Sequence, residues 1–260
     1  MTIDQVSSAV LDNGIGVIGD FGHGDSLTVL NERIEGGWSS YSVLIHVGDA
    51  GIGMGSREDL IYQLLDLFEI NETLIKQNQI LLVVRGNHDN PAVWRSPDVF
   101  AEFHNFSRIC FVPDFTRLNL AGENFLFFGG AISIDRSLRQ PGLNYYTDEG
   151  VDRPTREFED ILAGGDFSVV VSHNAPVLLR HPDFFNPRVY QIESVKESLH
   201  QEEQILEEML LKIPADRQRV WVYGHFHKTK KYHSTERKFT SVCVGCMECL
   251  PILTQPLDKK

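Results

Sequence analysis

Five short, almost unbroken apolar runs punctuate the chain, at Ile15 to Ile18, Val43 to Val47, Ile80 to Val84, Phe167 to Val171 and Val220 to Tyr223. Runs of this length, rich in Val and Ile, read as strands buried on both faces of a sheet in an α/β protein. Between them the spacing becomes helical. Leu60, Leu64, Leu67, Ile70 and Leu74 follow a Ser56-x-x-Asp59 start, and Ser56 to Asn78 is predicted as a helix covering one sheet. Thr155 to Leu162 reads as a shorter helix that Gly164-Gly165 ends. Ser194 to Lys212 reads as a third, capped by Ser194 with Glu197, with Leu199, Ile205, Leu206, Met209 and Leu210 on one face and Pro214 closing it.

Asn90 to Leu118, with Pro91, Pro97 and Pro113 among aromatic residues, predicts an irregular lid or rim. Phe125 to Ile134 reads as a strand running into Gly129-Gly130-Ala131-Ile132-Ser133-Ile134-Asp135, followed by a loop with Arg136, Arg139, Tyr145, Tyr146 and Glu149. Alternating strands and helices are what an α/β layered fold requires, and 260 residues suit one domain spanning 1–260.

Composition narrows the class. A hydrophobic share of 42% with 23% charged residues is that of a folded globular chain rather than a disordered one. The net charge of −12, with no long basic run, disfavours general nucleic-acid binding. It leaves a phosphorylated substrate open, because bound divalent cations can dominate a local field. No apolar stretch approaches the roughly 20 residues of a membrane-spanning helix, and Met1 to Val10 lacks a secretory pattern. A cytoplasmic protein with no membrane association is expected; the sequence names no protein partner. Cys243, Cys246 and Cys249 do not resemble a secreted disulfide framework, and read either as small core thiols or as a metal site lacking an obvious fourth ligand.

The candidate chemistry sits where the apolar runs end, in Gly19-Asp20-Phe21-Gly22-His23, Gly48-Asp49, Gly86-Asn87-His88-Asp89, Ser172-His173-Asn174 and Gly224-His225-Phe226-His227. In that order the clusters resemble the calcineurin-like metallophosphoesterases. The signature of that family is an Asp with a nearby His, then Gly-Asp, Gly-Asn-His-Asp/Glu, a lone His and Gly-His-x-His. Residues 129–149 resemble a bacterial and phage-type branch of it.

The resemblance implies a four-layer α-β-β-α sandwich, two mixed β-sheets flanked by helices, with the site on loops at the sheet ends. Carried over by position, it puts Asp20 and His227 on one divalent metal ion, Asn87, His173 and His225 on a second, and Asp49 between them. Mn²⁺ is the first expectation, with Fe or Zn as alternatives, since carboxylate, amide and imidazole ligands suit all three. One departure concerns the extra residue in Asp20-Phe21-Gly22-His23. Either a bulge brings His23 to the first metal, or Gly22 takes that position and His23 lines the pocket.

The implied reaction is phosphate-ester hydrolysis by a metal-bridging hydroxide. His88 is the candidate proton donor to the leaving group, with Asp89 orienting it. Arg85 either faces the phosphate or is a plain surface or sheet-edge arginine. A phosphomonoesterase is favoured, against a phosphodiesterase or nuclease of the same superfamily and a non-catalytic binding scaffold. His46 reads as a buried structural residue. Tyr145 and Tyr146 either stack on a leaving group or pack the rim, Arg136 and Arg139 read as solvated or as a second phosphate site, and Glu202, Glu203, Glu207 and Glu208 as the wet face of a helix.

Overall fold

The computed structural model describes residues 1–7, 14–21 and 27–252. In the first sheet, β1 (Gly14–Ile18), β2 (Tyr41–His46), β3 (Ile80–Val83) and β4 (Ile109–Phe111) run parallel, each beside the next. The second sheet contains β5 (Thr116–Leu120), β6 (Glu123–Phe128), β7 (Val169–Ser172), β8 (Arg219–Tyr223), β9 (Lys230–Ser234) and β10 (Phe239–Cys243), in the order β5-β6-β7-β8-β10-β9. Its four inner strands are parallel, while β5 and β9 are antiparallel edges. The chain then returns to the first sheet as β11 (Cys249–Ile252), antiparallel to β1.

Alternation along each strand decides the layers, because successive side chains point to opposite faces. Val17, Val43, Ile45 and Leu82 meet Phe125, Phe127, Val169 and Val171 in one core between the sheets. Their neighbours Ile18, Leu44 and Leu81 face outward, under α2 (Leu27–Gly37) and α3 (Arg57–Gln77). Leu126, Phe128, Val170 and Trp221 face the other way, under α5 (Arg156–Gly164) and α6 (Lys196–Lys212). Two short helices, α1 (Ile3–Ser7) and α4 (Pro91–Arg95), complete the set. The result is the α-β-β-α sandwich.

The Ser56 hydroxyl accepts from the Asp59 N–H while the Asp59 carboxylate accepts from the Ser56 N–H, and α3 ends on Asn78 at φ 52°. Thr155 caps α5, and Gly165 at φ 66° ends it. The expected cap on α6 is not formed: the helix begins after Val195, which makes no side-chain cap bond. Val195 is fully buried with Ile132 and Leu199, so apolar anchoring sets this helix start.

Two further expectations are corrected. Within 90–118 the chain forms α4, capped by Asn90, and supplies β4 and most of β5 rather than a lid. A three-residue strand such as β4 is too short to show periodicity and forms by pairing with β3. The strand expected through Ile134 ends at Phe128, and residues 129–135 are loop and turn. Among the described residues no helix is long and apolar enough to cross a membrane.

Candidate metal centre

The carboxyl ends of β1, β2, β3, β7 and β8 converge on one site. Asp20, Asp49 and His173 are almost fully buried there, with ligand atoms within 4.8 Å of one another. Close approach of backbone makes this possible. A Cβ on Gly86 would stand 2.1 Å from Asp49 Oδ1, and one on Gly224 would stand 1.9 Å from Asp20 Oδ1. Asp49, His225 and His227 adopt φ values of 62°, 66° and 58°, which turn their side chains back over the strand ends.

Hydrogen bonds orient the imidazoles. His173 Nδ1 lies 2.8 Å from the Val47 carbonyl, which can only accept, so this nitrogen carries a proton and Nε2 faces the centre. Asn87 Oδ1 is 3.0 Å from His173 Nε2 and 3.1 Å from His225 Nδ1. Asp49 Oδ1 accepts from the His88 N–H at 2.7 Å and lies 3.3 Å from His173 Nε2. Asp20 stands opposite, with Oδ2 3.6 Å from His227 Nε2 and Oδ1 3.8 Å from His173 Nδ1.

These donors fit divalent cations. Both Asp20 oxygens are buried without a hydrogen-bond partner, an arrangement that costs free energy unless a cation meets them. Burial raises the Asp20 carboxyl, with Asp49 adding to the effect and His173 opposing it. Burial also resists ionisation of Asp49, but the His173 charge and hydrogen bonds from His173 and His88 hold it well below the usual carboxylate range. For His173 the burial effect is outweighed by Asp49 and Asp20, which raise it, whereas burial and His173 push His225 well down.

His88 lies beside this cluster, a quarter exposed, with Nε2 3.9 Å from Asp49 Oδ2 and 3.4 Å from an Arg139 N–H group. Burial lowers its pKa, against the raising effect of Asp49. Arg139 is not a free loop arginine: its fork grips Asp135 through two bonds of 2.7 Å. Asp89 accepts from the N–H groups of Asp49, Ile52 and Gly86 at 3.0, 2.9 and 2.7 Å, tying two site loops together from beneath.

Arg85 departs from both alternatives drawn from the sequence. It is fully buried, paired with Asp114 at 2.9 Å, and donates to the carbonyls of Glu149 and Gly150 at 2.7 and 3.2 Å. Glu202 is not on a wet face either. It is buried, accepting from Asn174 Nδ2 at 2.9 Å, while Glu203 pairs with Arg180 at 2.8 Å. Its spacing from Leu199 and Leu206 put it on the buried stripe and was the available signal.

Tyr145 is buried and Tyr146 bonds the Gly53 carbonyl, so both pack the loop. His46 is buried against Phe21 at 4.8 Å, with a pKa pushed down to about 3 by burial. Gly22 and His23 lie outside the described residues. Cys243 is in the second sheet and Cys249 in the first, and the described residues place no metal-holding group at the cysteines.

A cavity of about 410 Å³ opens from the site, with Asp49, Asn87, His88, His225 and His227 along its inner edge. Phe184 and Phe226 stack at 4.5 Å on its wall.

The family model for calcineurin-like phosphoesterases matches residues 14–229. The chain belongs to that family. No curated protein matches it. Among solved structures, one aligns over 93% of this chain and 95% of its own, at 14% identity and TM-score 0.46. Another, the protein TT1561 of Thermus thermophilus, aligns over 90% of each chain at 13% identity and TM-score 0.43. Membership carries metal-dependent phosphoesterase activity, which the buried Asp20, Asp49 and His173 cluster suits.

Proposed function

We propose that this phosphoesterase is a phosphomonoesterase with a dinuclear centre, Mn²⁺ by preference. Asp20 and His227, with His23, would hold one ion, Asn87, His173 and His225 the other, and Asp49 both. The buried Asp20 oxygens, which lack a hydrogen bond and meet imidazole nitrogens no nearer than 3.6 Å, are the observation that carries this reading. Two divalent ions at such a site neutralise phosphoryl oxygens and supply an activated water as nucleophile.

The remaining work falls to the chain itself. Asp49 is pinned at Oδ1 by the His88 N–H, beside His173 Nε2, while its Oδ2 lies 3.9 Å from His88 Nε2. His88, at the cavity edge, is the group able to hand a proton to a departing alkoxide. Asp89 acts as a positioning residue by fixing the loops that carry Asp49 and Asn87. The Phe184, Phe226, Val189 and Leu199 side chains bound a cavity of small-molecule size, which supports a compact phosphate monoester over a nucleic-acid strand. Four free cysteines suit a reducing, cytoplasmic setting.

The test is the rate on matched nitrophenyl mono- and diesters, with chelated protein titrated with Mn²⁺ beside Asp49→Asn. Turnover restored by metal, faster on the monoester and abolished by Asp49→Asn, is expected. A faster diester rate would select the phosphodiesterase; two bound metals without turnover on either ester would count against both.

A further inference from the structure

Residues 129–149, set apart by their sequence, meet the centre at His88 through Arg139 and at Asn87 through Ser133. Asn87 Nδ2 donates to Ser133 Oγ at 2.9 Å, and Ser133 Oγ donates to Glu149 Oε2 at 2.7 Å. The Ser133 N–H also donates to Glu149 Oε1, at 2.8 Å. All three side chains are buried, and the Glu149 backbone is held from below by Arg85.

With Glu149 ionised, the direction of these bonds is forced. An ionised carboxylate only accepts, so the single hydroxyl proton of Ser133 points at Glu149. What the hydroxyl offers Asn87 is then a lone pair, which only the amide NH₂ can use. The amide oxygen is left facing His173 Nε2 and His225 Nδ1, where a cation would sit. Turned over, Asn87 would present its NH₂ to that position and repel a cation.

We infer that Glu149 and Ser133 form a polarity relay that sets the orientation of the Asn87 amide, and so make Asn87 able to bind metal. This rests on the reading of Asn87 as a metal ligand. Glu149 and Ser133 are positioning residues, and their effect is confined to the half of the centre that Asn87 serves. The relay predicts an inversion. In Glu149→Gln the Ser133 N–H still claims the side-chain oxygen, so the new NH₂ faces the Ser133 hydroxyl and donates to it. With the residue at 149 no longer accepting, Asn87 is the acceptor left to the Ser133 hydroxyl proton, and satisfying it favours the amide with its oxygen turned away from the metal, although the shape of the side chain is unchanged.

Equilibrium dialysis and calorimetric titration with Mn²⁺ read this without reference to turnover. Burial pushes the Glu149 carboxyl up to about 7, so the titrations belong at about pH 8, where it is ionised. Glu149→Gln and Ser133→Ala should each weaken one of the two bound Mn²⁺ ions by about tenfold or more, leaving the other unchanged. Because the relay runs through the hydroxyl, the double variant should be no weaker than Ser133→Ala alone. Thermal melts of the metal-free variants identify any that fail to fold.

Asn87→Ala separates the two readings. If it loses one ion while Glu149→Gln and Ser133→Ala keep both at wild-type affinity, the relay is refuted and the ligand role of Asn87 stands. If Asn87→Ala itself keeps both ions, the ligand role fails and the relay with it. Equal weakening of both ions, or additive losses in the double variant, would also overturn the relay, since general loosening of the loop would produce them.

Discussion

Arg85→Ala distinguishes an internal arginine from a phosphate-binding one. The substitution removes the partner of Asp114, itself 11% exposed, leaves the Gly150 carbonyl without its donor and leaves the Glu149 carbonyl only the Ala131 N–H at 3.2 Å. Breaking a buried ion pair by deleting one member costs about 3 to 5 kcal/mol, and each stranded buried carbonyl about 1 to 3 kcal/mol. These overlap, because water can enter the space left and Asp114 reaches solvent, so a total of about 3 to 5 kcal/mol is expected. For a domain near this size each kcal/mol lowers Tm by roughly 2 to 4 °C, which gives a fall of roughly 6 to 20 °C.

The assay is a thermal melt of metal-free protein, paired with steady-state kinetics on a phosphate monoester at saturating Mn²⁺. The melt should drop and KM should hold, with any residual loss appearing as weaker Mn²⁺ affinity through the Glu149 loop. A Tm within about 2 °C of the wild type together with a KM raised about tenfold would refute the internal role and return the guanidinium to the substrate.

Two other outcomes are open to simple measurement. Gly224→Ala would thrust a Cβ to 1.9 Å from Asp20 Oδ1, so the variant should lose one bound Mn²⁺ and at least about a hundredfold in turnover; two ions bound at wild-type affinity would contradict the close packing drawn for this loop. Burial lifts Glu149 and Glu202 from 4.5 to about 7, so at these two groups the folded state of the metal-free protein binds more protons than the unfolded state, and the stability they contribute below that window is lost as pH rises through it, against the opposite contribution of His46, His88 and His225, whose pKa values are lowered. Between about pH 4.5 and 7 the metal-free Tm of Glu202→Gln should therefore gain on that of the wild type, and a Tm difference between the two that is constant or falls over this range would refute the contribution of Glu202.

The order of the strands along the chain and the residue types at their ends were legible in the sequence for a physical reason. Continuous Val- and Ile-rich runs have few stable homes other than a doubly covered sheet, and polar residues that follow them lie at its edge. That pattern put Asp20, Asp49, Asn87, His173 and His225 at strand ends, and the resemblance to the family's motif order marked them as candidate ligands. The cap legible at Ser56 formed with a neighbour three residues away, whereas the equally spaced Ser194 and Glu197 pair gave way to the burial of Val195.

Only the tertiary structure decided what each polar residue meets across long separations. Arg85 reads the same in sequence whether it ends at a phosphate or, as found, at Asp114 and the Glu149 carbonyl. Glu202 carries the same charge as its exposed neighbours, yet burial and a bond to Asn174 give it a different task. Ser133 and Glu149 join Asn87 over 46 and 62 residues of chain, a distance at which no local period operates. Local spacing determines which face a side chain occupies; the partner on that face is chosen by the packing of the two sheets, and at this centre the partner fixes the chemistry.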